Sequence, residues 1–266
     1  MSLQPESVDT LFHAGRLDEA LAAATQAVRQ KPTDAAARLL LAELLIFAGK
    51  LDRADVVLDA AAAIDPLAAL TVAEFRQLLR AETARRQLWQ EGRLPEFLAE
   101  PSSAERALLG AIVAWRAGDM KQAAQHAVAA ESLRPATPVQ IDGHDFDDFR
   151  DADDLCAGVL EVLTTTGKYF WVPLARVATM ELHPPRRPRD LIWRRASLSV
   201  EKGPEGEVYL PAIYAEPGAT DALRLGRATD WSTDSPARGF GQRVFFADDE
   251  EFGIMELGSL RFTVAP

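Results

Sequence analysis

The chain has 266 residues, of which 48 % are hydrophobic and 26 % are charged. This composition is typical of a folded globular protein with enough length for one or two domains, and it excludes a largely disordered chain. The net charge of −11 argues against nucleic-acid binding, because neutralising phosphates requires a surplus of lysine and arginine.

The sequence shows no sign of export or membrane insertion. Its apolar runs fall short of the roughly 18 residues that a membrane span needs, and the N-terminus MSLQPESVDT lacks the pattern of a signal peptide. We therefore expect a cytoplasmic protein with no membrane segment. The single cysteine, Cys156, lies in the apolar stretch LCAGVL, which is typical of a buried packing residue.

The first half contains a repeated pattern. Blocks GRLDEA, GKLDRA and GDMKQA begin at Gly15, Gly49 and Gly118, and the first two lie 34 residues apart. The pattern resembles the tetratricopeptide repeat, a pair of stacked helices. Glycine allows a tight turn after the first helix, the small alanine of each block permits close helix contact, and a proline 17 residues after each glycine stops the second helix.

The pattern is interrupted between residues 69 and 103. The signature is missing near residue 83, and a weaker form, GRLPEF, begins late at Gly92. These features predict one longer helix pair with a short extra turn. We predict that residues 1–140 form a tetratricopeptide-like α-α superhelix, a fold whose concave face usually holds a peptide or a helix.

An acidic, turn-rich segment connects the two halves. It carries seven aspartates between Asp142 and Asp154. Asp151 is predicted to cap a helix that ends near Gly167, with an apolar stripe that includes Leu155 and Leu163. Acidic residues suit the first turn of such a helix. A calcium site is disfavoured, because the spacing lacks the glycine and glutamate of a calcium-binding loop.

After Gly167 the hydrophobic pattern changes to alternation. Six strand candidates separated by turn clusters such as KGPEGE and AEPGAT predict antiparallel pairing. Residues 141–266 are thus predicted to form an α+β domain with a mostly antiparallel sheet. Within GKYFWVP, alternation places Tyr169 and Trp171 on one face and Phe170 and Val172 on the other. At least one of these sets must face the core, and the strand register decides which.

Five blocks of the second half resemble the ImpE/TagJ family of accessory proteins of bacterial type VI secretion: FDDFRDADDLCAGVLEVLTTTGKYFWVP, RDLIWRRASL, EVYLPAIY, LRLGRATDW and GFGQRVFF. The resemblance spans nearly the whole chain. It implies a non-enzymatic cytoplasmic adaptor that binds an amphipathic N-terminal helix of the small sheath subunit. It also implies a link from the sheath to the ATPase that recycles it, and it supplies no catalytic residue, metal or cofactor.

A partner helix of this kind would insert apolar side chains between aromatic rings. We take Tyr169, Trp171, Trp193 and Trp231 as candidate partner-binding residues. Core packing is the competing interpretation for each of them, because large aromatics dominate cores as well as interfaces.

The alternative function is an enzyme with an unrecognised polar site built from Asp190, Arg194 and the aspartates of the connecting segment. The sequence lacks the common zinc, phosphate-loop and nucleophile-elbow motifs. Gly239-Phe-Gly241 is interpreted as a turn, since a third glycine is missing. The prolines of HPPRRPRD favour a solvated extended loop over an anion-binding site. The oligomeric state stays open.

Overall fold

A computed structural model describes residues 6–216 and 218–263, and helices fill the first half of this described chain. The glycines predicted to end the first helix of each pair, Gly15, Gly49 and Gly118, have φ between 73° and 79°, which glycine adopts without strain. Ala20 and Ala54 are fully buried between helices. The tetratricopeptide-like part of the fold is confirmed. Its helices are α1 (Val8–His13), α2 (Leu17–Gln30), α3 (Ala35–Phe47), α4 (Leu51–Ile64), α5 (Ala69–Glu91), α6 (Ser103–Arg116) and α7 (Met120–Leu133).

The interrupted region differs from its prediction. The single helix α5 runs for 23 residues and ends at Gly92, whose φ is 84°. No second helix follows in this described segment. The strand β1 (Glu96–Phe97) comes next and pairs in parallel with a strand of the second half. Pro95 and Pro101 flank this short strand, and neither can continue a helix that lies before it.

The second half is built on an antiparallel sheet. The elements of this half are β2 (Val139–Ile141), β3 (His144–Phe146), β4 (Phe149–Asp151), β5 (Val159–Leu163), β6 (Tyr169–Pro173), β7 (Val177–Leu182), β8 (Trp193–Val200), β9 (Glu205–Pro211), α8 (Asp221–Arg224), β10 (Thr229–Trp231), β11 (Gly239–Gly241), β12 (Val244–Ala247), β13 (Glu250–Gly253) and β14 (Ser259–Phe262). The main sheet has the order β1-β6-β5-β9-β8-β7-β14-β2-β3, in which β1 and β6 run parallel and the other described pairs run antiparallel. Two smaller sheets have the orders β13-β12-β4 and β10-β11. The mostly antiparallel α+β fold is confirmed.

The prediction of a helix that starts at Asp151 is wrong. Asp151 ends the strand β4, a turn follows, and the apolar run is the strand β5. Both faces of β5 are buried, so its sequence shows no alternation of apolar and exposed polar residues. A short continuous apolar run does not distinguish a strand from a buried helix. Gly167, expected as a helix cap, lies in the turn between β5 and β6 with φ of 82°. The turn expected at 239–241 is the short strand β11.

The main sheet separates two cores. On one face Val159, Leu163 and Trp171 pack with the helices of the first half. On the other face Leu160 and Val162 pack against β4 and β12. Helix changes to strand between Leu133 and Val139. The first of the two cores contains residues from both sides of this point. The division into independent folding units at 140/141 therefore stays a prediction.

Because this core contains residues from both halves, we predict that residues 141–266 will not fold alone. Without the helices this fragment would expose Trp171 and Trp193, which are fully buried in the whole chain. We expect the isolated fragment to bind a hydrophobic dye and to lack near-ultraviolet circular dichroism. A cooperative thermal transition of the fragment would contradict this expectation and support the division at 140/141.

Replacing Trp193 by alanine should destabilise the protein strongly. The ring is fully buried and meets Phe75 edge-on at 6.0 Å, so its removal leaves a cavity that costs about 3–5 kcal/mol in the free energy of unfolding. The matched control is Trp231→Ala, which truncates a half-buried ring and should cost less than about 1.5 kcal/mol. Urea denaturation measures both, and equal losses would refute the burial argument.

Candidate functional site at the junction of the two halves

The centre of the junction is a buried carboxylate on the main sheet. Alternation along β5 directs Glu161 toward the helices, and its side chain is fully buried. Arg85 of α5 donates two hydrogen bonds to it, at 3.0 and 3.1 Å, and Arg243 and the Tyr169 hydroxyl donate two more. Burial acts to raise the pKa of Glu161, but the two arginine charges and these hydrogen bonds outweigh it and lower the pKa to about 2.

The network continues from Arg243 into the second half. Its Nη1 donates to Asp151 Oδ2 at 2.6 Å, and the Tyr214 hydroxyl donates to the other oxygen of Asp151 at 2.9 Å. Asp153 accepts from Arg238 Nε at 2.9 Å. The two aspartates are fully buried. They hold arginines, so the interpretation of this acidic segment as a helix start is wrong.

Arg238 also contacts the first half. Its guanidinium lies between the rings of Trp89 and Trp115, 4.5 and 4.4 Å from their centroids. Trp89 belongs to α5 and Trp115 to α6, so this one cation joins two helices to the loop before β11. Stacking on aromatic faces is a favourable setting for a guanidinium that has lost water.

Three of the four candidate partner-binding rings fill the junction. Tyr169, Trp171 and Trp193 are exposed by 2 %, 0 % and 0 %. Trp171 Nε1 donates to the Tyr169 hydroxyl at 2.6 Å, and Trp193 Nε1 donates to Glu82 at 3.3 Å. In this conformation the three rings offer a partner no surface, and the competing interpretation of core packing applies to them.

Trp231 has a different position. It is half-buried on β10, and its ring centroid lies 5.9 Å from that of Tyr214. Tyr214 in turn lies against the guanidinium of Arg243, 5.2 Å from its ring centroid. Trp231 is therefore the outer member of a stack that begins in the buried network. Its role in partner binding stays a prediction.

The arginine-rich loop is held by the helices. Arg187 donates to Glu43 of α3 at 2.5 Å, and Arg189 donates to Glu74 of α5 at 3.2 Å. Residues Pro188–Leu191 form a short 3-10 turn. The prediction of a solvated extended loop is therefore wrong for Arg187 and Arg189, because ion pairs with the helices draw them out of solvent.

The residues proposed for an enzyme do not converge. Asp190 accepts hydrogen bonds from the backbone N–H groups of Arg186 and Arg187, whereas Arg194 contacts the sulfur of Met255 at 3.1 Å. The buried aspartates hold other arginines. Within residues 6–216 and 218–263, no group of three or more metal-ligating side chains could hold a metal ion.

The second half covers one side of the helical repeats. Its ion pairs and hydrogen bonds reach α3 and α5, and Arg227 donates to the carbonyl oxygen of Phe12 in α1 at 2.6 Å. Together with the Trp115 contact on α6, these interactions involve α1, α3, α5 and α6. The chain's own second half thus covers one side of these four helices.

Comparison with known proteins finds the same organisation. A family model described as ImpE protein matches residues 143–261, and one described as tetratricopeptide repeat matches residues 11–79. A Pseudomonas aeruginosa protein named type VI secretion system accessory component TagJ is 34 % identical over 264 residues, covering 96 % of this chain and 90 % of that protein. The chain belongs to the ImpE family.

A solved structure has the same fold. An X-ray crystal structure of a Vibrio parahaemolyticus protein matches this ImpE chain with a TM-score of 0.91 at 27 % identity. The match covers 97 % of this chain and 98 % of the other. The arrangement of helices on the sheet is therefore shared across distant sequences. In the described part of this ImpE chain, no helix has both the length and the apolarity to cross a membrane.

Sequence reasoning missed Arg85, Glu161 and Arg243, which form the centre of the junction. One signal was present: Glu161 is the only charged residue in the run VLEVL. A carboxylate within a buried apolar strand needs a cationic partner. The partners themselves lie 76 and 82 residues away in sequence, so no local pattern identifies them.

Replacing Glu161 by glutamine should destabilise the protein by about 3–5 kcal/mol, because two buried arginines lose their shared counter-charge. The control is Glu207→Gln, which removes an exposed partner of Arg195 and should cost less than about 1 kcal/mol. Chemical denaturation at neutral pH measures both variants. Similar small losses would show that the buried network contributes little.

The loss of stability caused by Glu161→Gln should depend on pH. Glu161 has a folded-state pKa of about 2 against an ordinary value of 4.5, so its stabilising effect is complete above the ordinary value and is lost as the pH falls toward 2. The difference in unfolding free energy between wild type and Glu161→Gln should therefore shrink across this range. A difference independent of pH would contradict the assigned ionisation.

Proposed function

We propose that this ImpE protein is a non-enzymatic accessory component of type VI secretion that works in the cytoplasm by binding other proteins. The observation that carries the proposal is the 34 % identity to TagJ over 96 % of this chain. The tetratricopeptide-like helices support it, because such arrays mostly serve as binding scaffolds. The partners we propose are an amphipathic N-terminal helix of the small sheath subunit and the ATPase that recycles the sheath.

The partner helix would bind outside the covered side of the repeats. Trp231 is our candidate anchor, since its half-buried ring is the only one of the four candidates with exposed surface in the described structure. A ring held against Tyr214 loses little conformational freedom on binding, which favours affinity. A second surface is the corner between α4 and α5, where Leu67 and Leu70 are 93 % and 82 % exposed.

The rival function is an enzyme in the second half, and the described structure does not bring its candidate residues together in one site. Asp190 and Arg194 lie in different surroundings, and Asp151 and Asp153 are fully buried in ion pairs. Catalysis would need such groups to reach one substrate. Turnover of a small molecule by the purified protein would nevertheless overturn the non-enzymatic proposal.

Binding can be measured with the whole chain and a labelled synthetic N-terminal helix of the sheath subunit, by fluorescence anisotropy. We expect saturable binding and a loss of about 2 kcal/mol, or roughly 30-fold in Kd, for Trp231→Ala. The reason is that an aromatic anchor supplies much of the energy of such an interface. The matched variant, Leu67→Ser, tests the other surface.

The possible results test the sheath partner, the binding surface and the link to the ATPase separately. No binding of the sheath helix by wild type would refute the partner. Normal binding by Trp231→Ala with loss in Leu67→Ser would move the site to the α4–α5 corner. For the ATPase, we expect the protein to retain it in a pull-down only when both surfaces are intact.

A further inference from the structure

A cavity rich in arginine lies where the segment 183–190 passes the helices. Its volume is about 360 Å³, and four arginines line it together with His183, Asp190 and Tyr209. The arginines are Arg186, Arg187, Arg189 and Arg195. It is distinct from the buried Glu161 network and from Trp231, neither of which lines it. Four guanidinium groups around one cavity provide many N–H donors in planar forks, the geometry that matches carboxylate and phosphate oxygens.

Arg189 supplies buried donors without acceptors. The residue is 93 % buried, since 7 % of its surface is exposed. Its Nη2 donates to Glu74, and its guanidinium lies 4.9 Å from the ring centroid of Phe75. Its Nε and Nη1 have no hydrogen-bond acceptor within the described part of the chain. Such unpaired buried donors are costly. Arg189 also lines the cavity, and a small shift of its side chain would let an oxyanion there accept from them.

Arg186 is held at the rim of the same cavity. Asp190 Oδ2 accepts from the backbone N–H of Arg186 at 2.8 Å and from that of Arg187 at 3.2 Å. Pro184 and Pro185 precede Arg186 and restrict the backbone further. The Arg186 side chain is exposed and forms no ion pair with the described residues. Its backbone is therefore organised before any ligand arrives, which lowers part of the cost of binding.

The nearby charges define the class of ligand. Arg187, Arg189 and Arg195 already have carboxylate partners, in Glu43, Glu74 and Glu207 respectively. The cavity is thus rich in donors without a large net positive charge. Such a site favours a compact oxyanion of modest charge over a long polyanion such as nucleic acid.

We infer that this cavity binds a carboxylate or phosphate group through Arg186 and Arg189. The group could belong to a small metabolite or to an acidic side chain of a partner protein, and the chemistry of recognition is the same for both. The inference does not depend on the proposed sheath partner. It also revises the sequence-based preference for a simple surface loop, because the loop is fixed by ion pairs and encloses a cavity.

The test is a titration of the whole chain with inorganic phosphate and, separately, with glutarate as an analogue of an acidic side chain. Binding is followed by the thermal unfolding temperature and by the Nε–H NMR signals of the arginines. We expect saturation in the millimolar range with at least one of the two probes. The probe that binds more tightly identifies the oxyanion as a phosphate or a carboxylate.

Arg186→Ala should weaken that binding by about tenfold or more, the effect of one lost hydrogen bond to a charged group. Its fold should be intact, because the side chain is exposed. The matched control is Arg53→Ala, an exposed arginine of α4 far from the cavity lining, which should bind as wild type does. No saturation with either probe, or equal binding by wild type and Arg186→Ala, would overturn the inference.

Discussion

The shared ion pair of Glu161 with Arg85 and Arg243 is the interaction on which the rest of the structure depends. It joins a helix of the repeats, α5, to the main sheet and to the segment before β12. Each group is fully buried, so none of these charges is tolerated without the others. A buried ion pair need not be more stable than an apolar contact, but its geometry allows few alternative arrangements. The two halves are therefore fixed in one relative position.

This fixed position determines which surfaces are available to a partner. The second half lies against α1, α3, α5 and α6, and the rings of Trp171 and Trp193 are used to fill the junction. A tetratricopeptide array in isolation usually leaves its concave face open to a peptide. Here the outward surfaces carry the exposed apolar groups, including Leu67, Leu70 and part of Trp231. A partner protein can therefore bind only to the outward surfaces of the molecule, because the junction between the two halves is filled.

The relatives agree with a single body. The two family models match residues 11–79 and 143–261, and neither includes α6 or Arg85. The whole-chain likeness to TagJ and the TM-score of 0.91 nevertheless extend across that intervening region. The segment between the two matched regions supplies Arg85, Trp89 and Trp115, which hold the second half in place. The TM-score shows that this arrangement of helices on the sheet is shared with the Vibrio parahaemolyticus structure.

The sequence by itself determined the repeats and six of the fourteen strands of the described chain, because their signals are local: glycine, alanine and proline at fixed spacing, and alternation between turns. It also pointed to the ImpE family through its C-terminal blocks. Only the tertiary structure decided that residues 159–163 form a strand and that Tyr169, Trp171 and Trp193 are buried. The same holds for Arg187 and Arg189, whose partners Glu43 and Glu74 lie more than 100 residues away. Contacts at such distances depend on how the two halves dock, and no local pattern encodes that docking.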